Sequence, residues 1–487
     1  MIPLIAFRNI IYRPWRSALL FFGYGIGVAV MIALLSVGEA LLTQARDEKL
    51  VGGGSVTVLP QGLDVEVMKT GGIGGLFFSI DQARFIYDQL LASPRLARSV
   101  SAVAPQIDGR LVYLRTLNGS EYAVKASGEI PSRTQLVRGF NRLARGEWRD
   151  DQGDRRWMKP TLVELRHDID HFHLPPDSVA NRDSWAEWHY FNVVSVDNKR
   201  WAFISFIVAG DVTSEKWGGS VRITLREQEE QSRQFETFIP RRDVTFSTTS
   251  ADLELGPSTV TVTPAGDYRV IARSGGADGP IAIDLTVHPA PRAYFPGASF
   301  GQDDFVSGYT VPALRATATG SICVKSACER YEDAQAYHDH NWGVWRGVTW
   351  DWGASRAGPY TILYGRVTTA DAKREQPLFV YVVDSLGFRA VMRPATISYA
   401  DGRTATVDGR ELRVPSRAIF ADVRGADSLR VELDIEDAIA TEMRQSAGQP
   451  SFGGPYFIQM KGTATISGRL SGSPVSGKGT GFFETYR

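Results

Sequence analysis

The longest apolar run of the chain lies near its N-terminus. No charged residue occurs between Arg16 and Glu39, and a helix that spans a bilayer needs roughly 20 such residues. Arg8, Arg13 and Arg16 precede the run without an acidic residue among them, and the positive-inside rule keeps such a flank in the cytoplasm. We therefore predict a cytoplasmic tip and a single transmembrane anchor in residues 1–42. A cleaved signal peptide is the alternative, although its apolar region usually has only about 7–15 residues.

The bulk of the chain is accordingly predicted to lie outside the bacterial inner membrane, in the periplasm or beyond. Residues 43–158 form its first part and mix helical and strand patterns. Ser79 can cap a helix that ends near Pro94. Two short apolar runs flank Asn118-Gly119, which is typical of a β-hairpin with a primed turn. The glycine-rich stretches of this part lack the Lys-Ser/Thr ending of a P-loop. We predict a small α+β segment.

From about Lys159 onward, short runs of alternating polar and apolar residues are separated by Gly, Pro, Asn and Asp. Many such strands with few helical patterns favour antiparallel β-barrels or sandwiches. The prolines between Pro289 and Pro296 mark an internal boundary. We predict a mainly β fold, with a first barrel in residues 159–290 and a second in residues 291–487.

Composition and charge exclude several classes of function. The chain has 487 residues, and 54 Lys+Arg balance 54 Asp+Glu, so that no global field attracts nucleic acid. A chain that is 43% hydrophobic and 22% charged is typical of a folded globular protein and not of a disordered or multi-span membrane protein. No Gly-x-Ser-x-Gly motif accompanies a strand–turn–helix pattern, which leaves a hydrolase triad without support.

The two cysteines, Cys323 and Cys328, stand five positions apart. Two thiols alone make a poor zinc site, and an exported domain lies in an oxidising compartment. We therefore predict a disulfide across the tip of a hairpin, with two unpaired thiols as the alternative.

Six of the seven histidines fall in two short neighbourhoods. Alternate residues of a strand share a face, which divides the first neighbourhood into Glu187, His189 and Phe191 against Trp188, Tyr190 and Asn192. The same rule divides the second neighbourhood into His338, His340 and Trp342 against Asp339 and Asn341. Imidazole titrates close to neutrality, and an aromatic, apolar pocket can shift it or a carboxyl into the range of proton transfer.

We therefore predict one site that combines both neighbourhoods. Its candidate catalytic residues are His338, Asp339, His340 and Trp342. Its candidate ligand-binding residues are Glu187, Trp188, His189, Tyr190, Asn192, Asn341 and Trp345.

A metal site is a competing interpretation, because His167 and His171 are four positions apart and His173 follows closely. The sequence Asp-Ile-Asp between them and Leu-Pro-Pro after them favour an extended segment, which does not bring residues four apart together. A third interpretation is a core of satisfied histidines and tryptophans, although such clustering is more than a core needs. We predict neither a metal nor a cofactor.

Two motifs, Glu187-Trp-His-Tyr-Phe-Asn192 and Asp339-His-Asn-Trp-Gly343, resemble those of the AttH-like and carotenoid hydratase (hydroxyneurosporene synthase) superfamily. Leu174-Pro-Pro-Asp177 and Gly479-Thr-Gly-Phe-Phe-Glu-Thr-Tyr486 match two further motifs in the same order. The resemblance covers about residues 159–487. It implies two lipocalin-like β-barrels that enclose an apolar cavity, in agreement with the strand pattern.

In the hydratases of this superfamily, a His and a Trp of the second motif act with a Tyr and an Asp further along to protonate an alkene. His340 and Trp342 match the first pair. Tyr364 is the counterpart of the Tyr, whereas Arg366 stands in place of the acid, and Asp351 could serve instead.

Residues 1–130 resemble a different family, through Ala6-Phe-Arg-Asn-Ile10 and Pro14-Trp-Arg-Ser-Ala-Leu19. This is the start of the permease subunits of macrolide-exporter and lipoprotein-release ABC transporters. The resemblance implies a permease-like periplasmic segment and an ABC transporter permease or ATPase as a possible partner.

Our first functional hypothesis is a membrane-anchored, envelope-facing protein that binds an apolar ligand such as a lipid, an isoprenoid or a polyketide. The alternative is a hydratase, isomerase or cyclase in which His340 is the acid or base, Asp339 orients it and Trp342 stabilises a cation. A second alternative is an accessory subunit of an ABC exporter.

Overall fold

The computed structural model describes residues 12–47, 79–138, 149–177, 179–227, 232–300, 306–345, 348–369, 376–407, 410–442 and 456–486. Most of the predicted cytoplasmic tip and the predicted glycine-rich loops lie outside these residues. The chain divides into two compact units. One unit contains Met1–Phe78 and Ser101–Arg155, and the other contains Ser79–Val100 and Arg156–Arg487.

The first unit contains a long apolar helix and a hairpin. Helix α1 (Pro14–Asp47) is long and apolar enough to cross a membrane over Pro14–Ile32. Its large apolar side chains point outward on all sides, with Trp15 83% and Tyr24 80% exposed. Strands β1 (Gln106–Arg115) and β2 (Glu121–Glu129) pair antiparallel, and a short helix α3 (Pro131–Arg138) follows.

The hairpin predicted around Asn118-Gly119 is confirmed, but its turn differs from the primed turn that we expected. Thr116 and Ser120 still pair, because the Thr116 N–H donates to the Ser120 carbonyl at 2.9 Å. The loop therefore has three residues, and Gly119 closes it with a φ of 86°. A three-residue hairpin loop needs its last residue in this left-handed region, which glycine adopts without a steric penalty.

The predicted helix after Ser79 is also confirmed. Helix α2 (Ile80–Ala92) belongs to the second unit, and the Ser79 hydroxyl accepts a bond from the Gln82 N–H at 3.0 Å. The side chains that α2 buries are Phe85 and Tyr87, whereas Ile80 is 57% exposed.

Two more helices lead into the β structure: α4 (Gln152–Trp157) and α5 (Leu162–Ile169). The extended segment that we predicted around the first three histidines is wrong at its start, because α5 runs to Ile169. The cause is a capping box, in which the Thr161 hydroxyl accepts from the Glu164 N–H and the Glu164 carboxylate accepts from the Thr161 N–H.

Helix α5 is fixed against α2 by a buried ion pair. The Arg84 guanidinium donates two bonds to the Asp168 carboxylate, at 2.8 and 2.6 Å. Beside this pair, Phe85 packs with Leu165 and Ile169. The chain leaves α5 at Asp170, so these contacts set where the Asp170 side chain enters the β structure.

The first large sheet has 12 antiparallel strands in the order β6-β5-β4-β3-β14-β13-β11-β10-β9-β8-β7, with β12 paired to β13. It is nearly closed, since the hydroxyls of Thr237 on β6 and Ser274 on β10 are 3.1 Å apart. Its strands are β3 (Trp185–Val194), β4 (Arg200–Gly210), β5 (Trp217–Glu227), β6 (Arg233–Pro240), β7 (Val244–Phe246), β8 (Leu253–Leu255), β9 (Ser258–Val262), β10 (Tyr268–Gly276), β11 (Gly279–Pro289), β12 (Phe295–Phe300), β13 (Ser307–Val324) and β14 (Ala327–Val344). A short 3-10 turn, Arg182–Ser184, precedes β3, and another, Arg241–Asp243, precedes β7.

The second large sheet has nine antiparallel strands in the order β18-β17-β16-β15-β25-β24-β23-β22-β19, and β20 and β21 form a separate pair. Its members and this pair are β15 (Val348–Ala357), β16 (Tyr360–Thr369), β17 (Gln376–Asp384), β18 (Gly387–Met392), β19 (Ser398–Ala400), β20 (Arg403–Val407), β21 (Arg410–Val414), β22 (Arg417–Arg424), β23 (Asp427–Glu442), β24 (Tyr456–Leu470) and β25 (Ser473–Tyr486). The mainly β, antiparallel fold class predicted from the sequence is confirmed.

The chain passes from the first sheet to the second between Val344 and Val348, whereas the sequence analysis set the boundary of its two barrels near residue 290. The long strands β13 and β14 follow the proline-rich stretch and pair with strands of the first sheet on both sides. The strands β3 and β14, which neighbour each other, are buried on both faces. One face packs into the core of the first sheet, and the other packs against the second sheet.

The predicted disulfide is confirmed. Cys323 and Cys328 are bonded and face each other in the β13–β14 hairpin, whose tip places Lys325 at a φ of 55°.

Candidate functional site

The alternation predicted for the two histidine neighbourhoods is confirmed in β3 and β14. The two strands pair so that His340 lies opposite His189, His338 opposite Phe191, and Trp342 opposite Glu187. These side chains face the interior of the first sheet, and the intervening residues face the second sheet. The predicted single site is therefore divided between two faces of the same strands.

Asp170 lies at the centre of the interior face, and the sequence analysis did not select it as a site residue. Its Oδ1 is 2.6 Å from His340 Nδ1 and 3.6 Å from His189 Nδ1. Its Oδ2 accepts a bond from the Tyr268 hydroxyl at 2.6 Å and lies 3.0 Å from His338 Nε2. Asp170 and the three histidines have no exposed surface. We call these five residues, together with Glu187, the inner cluster.

Glu187 forms the second acidic part of the inner cluster. Its Oε1 is 2.9 Å from His340 Nε2, so that each ring nitrogen of His340 faces a carboxylate. The same carboxylate accepts from the backbone N–H of His173 at 2.9 Å and lies 2.9 Å from His173 Nδ1. The arrangement holds His340 between two buried acids.

The charges of the inner cluster follow from these contacts. Burial by itself lowers the pKa of His340, but its bonds with Asp170 and Glu187 outweigh burial and raise the pKa to about 9. Burial by itself raises the pKa of Asp170 and of Glu187, and the neighbouring imidazoles lower both, that of Asp170 well below its usual value. Burial and the charge of His340 lower the pKa of His189 well below its usual value. At neutral pH, an imidazolium at His340 thus lies between two carboxylates while His189 is neutral.

His173 connects the inner cluster to the protein surface. Its side chain is 26% exposed, and its ring stacks on the Trp342 indole with a centroid distance of 3.8 Å. Gly308 lies under the same indole, where a Cβ would be 2.5 Å from ring atoms. A side chain at position 308 would displace Trp342, so glycine is needed there for close packing.

The three histidines of the first run do not form a metal site together. The His167 Nδ1 accepts from the Ala251 N–H at 3.0 Å, and the His171 Nδ1 is 3.0 Å from the His167 carbonyl. Only His173 reaches the inner cluster.

The opposite face of β3 and β14 carries a second polar group of residues, which we call the inter-sheet cluster. Asp339 accepts from the Tyr337 hydroxyl at 2.7 Å and from the Asn341 amide at 2.6 Å. Trp352, on the second sheet, donates to the Tyr337 oxygen at 3.0 Å. Tyr190 accepts from the amide of Gln459 at 2.8 Å, and Asn192 lies opposite Tyr337 in the strand register.

Burial favours the protonated forms of two carboxyls here, Asp339 and Glu484, and we include Glu484 in the inter-sheet cluster. Burial raises the pKa of Asp339 to about 7, with a further contribution from the charge of Glu484. Burial also raises the pKa of Glu484, which accepts a bond from the Trp350 indole at 3.0 Å. The carboxyl whose pKa we expected to be shifted into the range of proton transfer is therefore Asp339, in the inter-sheet cluster.

Aromatic rings continue from this cluster toward the surface and form what we call the aromatic wall. Successive ring centroids are 5.2, 5.6, 4.9 and 5.2 Å apart along the series Trp188, Trp345, Trp350, Tyr486 and Phe457. Trp188, Trp350 and Phe457 are partly exposed, whereas the two rings between them in the series are buried. The wall crosses from the first sheet to the second.

Tyr364 lies in neither cluster. It is buried in the core of the second sheet against Phe420 and Phe483. Asp351, the predicted substitute for the acid, is paired there with Arg366 at 2.8 Å and accepts from the Tyr399 hydroxyl at 2.6 Å. The superfamily resemblance grouped Tyr364 and Asp351 with His340 and Trp342. Both residues instead lie on the second sheet, away from the inner cluster.

The N-terminal part of the chain is similar to a known family. A family model described as the MacB-like periplasmic core domain matches residues 17–167, which agrees with the resemblance to exporter permeases. None of the curated protein sequences matches the chain.

Solved structures are similar to the chain at low sequence identity. A structure described as an AttH from Nitrosomonas europaea is 15% identical, covers 65% of this chain and 98% of its own, and has a TM-score of 0.44. Kievitone hydratase from Nectria haematococca is 15% identical, with coverages of 65% and 94% and a TM-score of 0.42. CghA in complex with Sch210972 is 14% identical, with the same coverages and a TM-score of 0.41. These values are too low to carry an argument about activity.

Glu484→Gln should make the folded protein more stable than the natural chain at neutral and alkaline pH. Because the pKa of Glu484 is raised in the folded state, its contribution to stability is complete below its usual value of 4.5 and is lost as the pH rises. Chemical denaturation between pH 4 and pH 8 measures the difference, which should grow with pH.

The matched control is Glu432→Gln on β23. The pKa of Glu432 is lowered, through bonds from Arg430 and Arg417, so this substitution should give no stabilisation at high pH. Parallel pH profiles for Glu484→Gln and the natural chain would contradict the prediction.

Proposed function

We propose that this chain is a single-span protein of the bacterial inner membrane whose β structure faces the periplasm and binds an apolar molecule at the aromatic wall. The main evidence for the proposal is the aromatic wall. Three partly exposed rings (Trp188, Trp350 and Phe457) lie in one series with two buried ones. Partly exposed aromatic rings of this kind supply apolar contact area for a ligand.

The wall is a better candidate than the interiors of the two sheets. The superfamily resemblance implies an enclosed apolar cavity, but aromatic and aliphatic side chains fill both cores. Phe191, Phe206 and Tyr268 are fully buried in the first, and Tyr364 and Phe483 in the second. A ligand in either core would have to displace close-packed side chains, whereas the wall already presents accessible rings.

Helix α1 supports the membrane part of the proposal. Large apolar side chains, among them Trp15, Phe21 and Tyr24, are exposed on every side of it. A helix that is apolar all round needs apolar surroundings, which a bilayer provides over about 20 residues. A protein anchored in this way meets apolar molecules that are dissolved in the membrane.

A role as an accessory subunit of an ABC exporter is the second candidate. It is supported by the match of residues 17–167 to the MacB-like periplasmic core domain. The two candidates are compatible, since a periplasmic protein that binds apolar molecules can receive the cargo of an exporter of such molecules.

The hydratase, isomerase or cyclase alternative has less support. It requires the His340 ring to reach a substrate, but both ring nitrogens face carboxylates in a fully buried cluster. Trp342, its predicted partner, is stacked on His173.

Crosslinking should map an apolar ligand to the aromatic wall. The full-length protein is placed in lipid nanodiscs that contain a diazirine-bearing fatty acid, and crosslinked peptides are identified by mass spectrometry. Adducts should concentrate on the strands that carry Trp188, Trp350 and Phe457. Because each ring supplies apolar contact worth about 1.5–3 kcal/mol, Trp188→Ala and Trp350→Ala should each reduce the adducts at least about tenfold.

Trp217→Ala is the control, since Trp217 is a partly buried tryptophan of the first sheet outside the wall. It should leave the adducts at the wall unchanged. Equal adduct yields in all three variants, or adducts spread evenly over the β structure, would rule out binding at the wall.

Association with an exporter should depend on the N-terminal segment. The full-length protein, solubilised in mild detergent from its native membrane, should co-purify with a nucleotide-hydrolysing ABC subunit. Replacing residues 14–32 with an unrelated transmembrane helix keeps the membrane anchor and should lower the recovered ATPase several-fold if α1 forms part of the contact. Failure of the natural chain to capture any ABC subunit would remove this candidate.

A further inference from the structure

The three imidazoles of the inner cluster share a geometric feature that the proposed function does not use. In each ring, one nitrogen faces an acceptor on the outside of the cluster and the other nitrogen faces Asp170. The outer acceptors are the Ala251 carbonyl, which bonds His189 at 3.0 Å, the Tyr190 carbonyl, which bonds His338 at 3.1 Å, and the Glu187 carboxylate, which forms an ion pair with His340 Nε2 at 2.9 Å without hydrogen-bond geometry. Histidines that bind metals are held in the same way, with the outer N–H donated to a carbonyl or carboxylate.

His189 has an inner nitrogen without a hydrogen-bond partner. Its Nε2 faces a carbonyl, which only an N–H can satisfy, so a neutral ring presents a lone pair at Nδ1. That Nδ1 is fully buried, makes no hydrogen bond, and lies 3.6 Å from Asp170 Oδ1. A nitrogen lone pair and a carboxylate oxygen repel each other at this distance, and a cation between them would satisfy both.

His340 provides a second inner nitrogen directed at the same oxygen. Its Nδ1 lies 2.6 Å from Asp170 Oδ1. One ligand atom from each of Asp170, His189 and His340 lies within 4.8 Å of the other two. Ligands about 2.0–2.2 Å from a tetrahedral metal are about 3.3–3.6 Å apart. The His189–Asp170 distance already fits, and the His340–Asp170 distance needs to open by less than about 1 Å to fit.

A metal ion bound at His340 Nδ1 replaces the proton on that nitrogen, which leaves to solvent.

We propose that Asp170, His189 and His340 bind a divalent first-row transition-metal ion, with Glu187 and the Ala251 carbonyl holding the two imidazoles from outside. Two imidazoles and one carboxylate are a donor set for Zn²⁺ or Fe²⁺ rather than for Mg²⁺ or Ca²⁺. Phe172 covers the site, with its ring centroid 5.2 Å from His189 and 4.9 Å from His340. The ion is therefore buried beneath Phe172 and stabilises the first sheet.

The test uses Co²⁺, whose visible absorption reports inner-sphere coordination. Full-length protein is produced in medium in which Co²⁺ replaces Zn²⁺, purified in detergent, and analysed by metal content and absorption spectroscopy. We expect one Co²⁺ per chain with the absorption of a low-coordinate site, and a melting temperature that falls when the metal is removed. His189→Gln should reduce the bound Co²⁺ at least tenfold.

His288→Gln is the control, because His288 is a partly exposed histidine paired with Asp267 and lies outside the cluster. It should keep the full metal content and spectrum. X-ray absorption of the natural protein provides a measurement that does not depend on the folding of a variant, and it should show two imidazole nitrogens and carboxylate oxygen around the ion.

Folded natural protein with less than about a tenth of a metal ion per chain would overturn the proposal. So would metal that His189→Gln retains or metal without imidazole ligands, since both results mean an adventitious ion only. None of these outcomes depends on ligand binding at the aromatic wall.

Discussion

The burial of the Asp170 carboxylate inside the first sheet is the constraint on which the rest of the polar interior depends. A charge without solvent must be paired and hydrogen-bonded, because an isolated buried carboxylate costs many kcal/mol. Here three imidazoles and the Tyr268 hydroxyl surround it. Glu187 then completes the second side of His340. The positions of these side chains follow from α5, whose buried Arg84–Asp168 ion pair fixes the point at which the chain turns inward.

The two faces of the strand pair β3 and β14 have chemically different environments. Their interior face carries charged groups, an imidazolium between two carboxylates. Their other face carries Asp339 and, across the sheet contact, Glu484, and burial raises the pKa of both carboxyls. One residue step along β14, from Asp339 to His340, separates these environments, because adjacent residues of a strand point in opposite directions. The inner cluster suits a structural ion, whereas the aromatic wall beside the inter-sheet cluster suits an apolar ligand.

Much of the fold was predictable because its determinants are local. The caps at Ser79, the glycine at position 119 and the disulfide between Cys323 and Cys328 depend on a few neighbouring residues. The alternation of β3 and β14 follows from the period of two in any strand. The capping box of Thr161 and Glu164 is also a local sequence motif, although the sequence analysis did not use it. It predicts α5 and hence the position of Asp170 at the end of that helix.

The candidate site was less predictable, because its contacts are distant in sequence. Asp170 meets His340 across 170 positions, and no local pattern indicates that pairing. The sequence also could not show that both faces of β3 and β14 are buried, so residues that we predicted to share one cavity divide between two clusters. Tyr364 was joined to them by resemblance and lies in the second core.

Asp170→Asn, studied in the metal-free protein, tests the central role of this carboxylate most directly. The substitution keeps the shape of the side chain but leaves the surrounding imidazoles without their anionic partner. The account predicts that the free energy of unfolding falls by about 3–5 kcal/mol, whereas Asp177→Asn, at an exposed carboxylate, changes it by less than about 0.5 kcal/mol. An Asp170→Asn protein as stable as the natural chain would contradict the account.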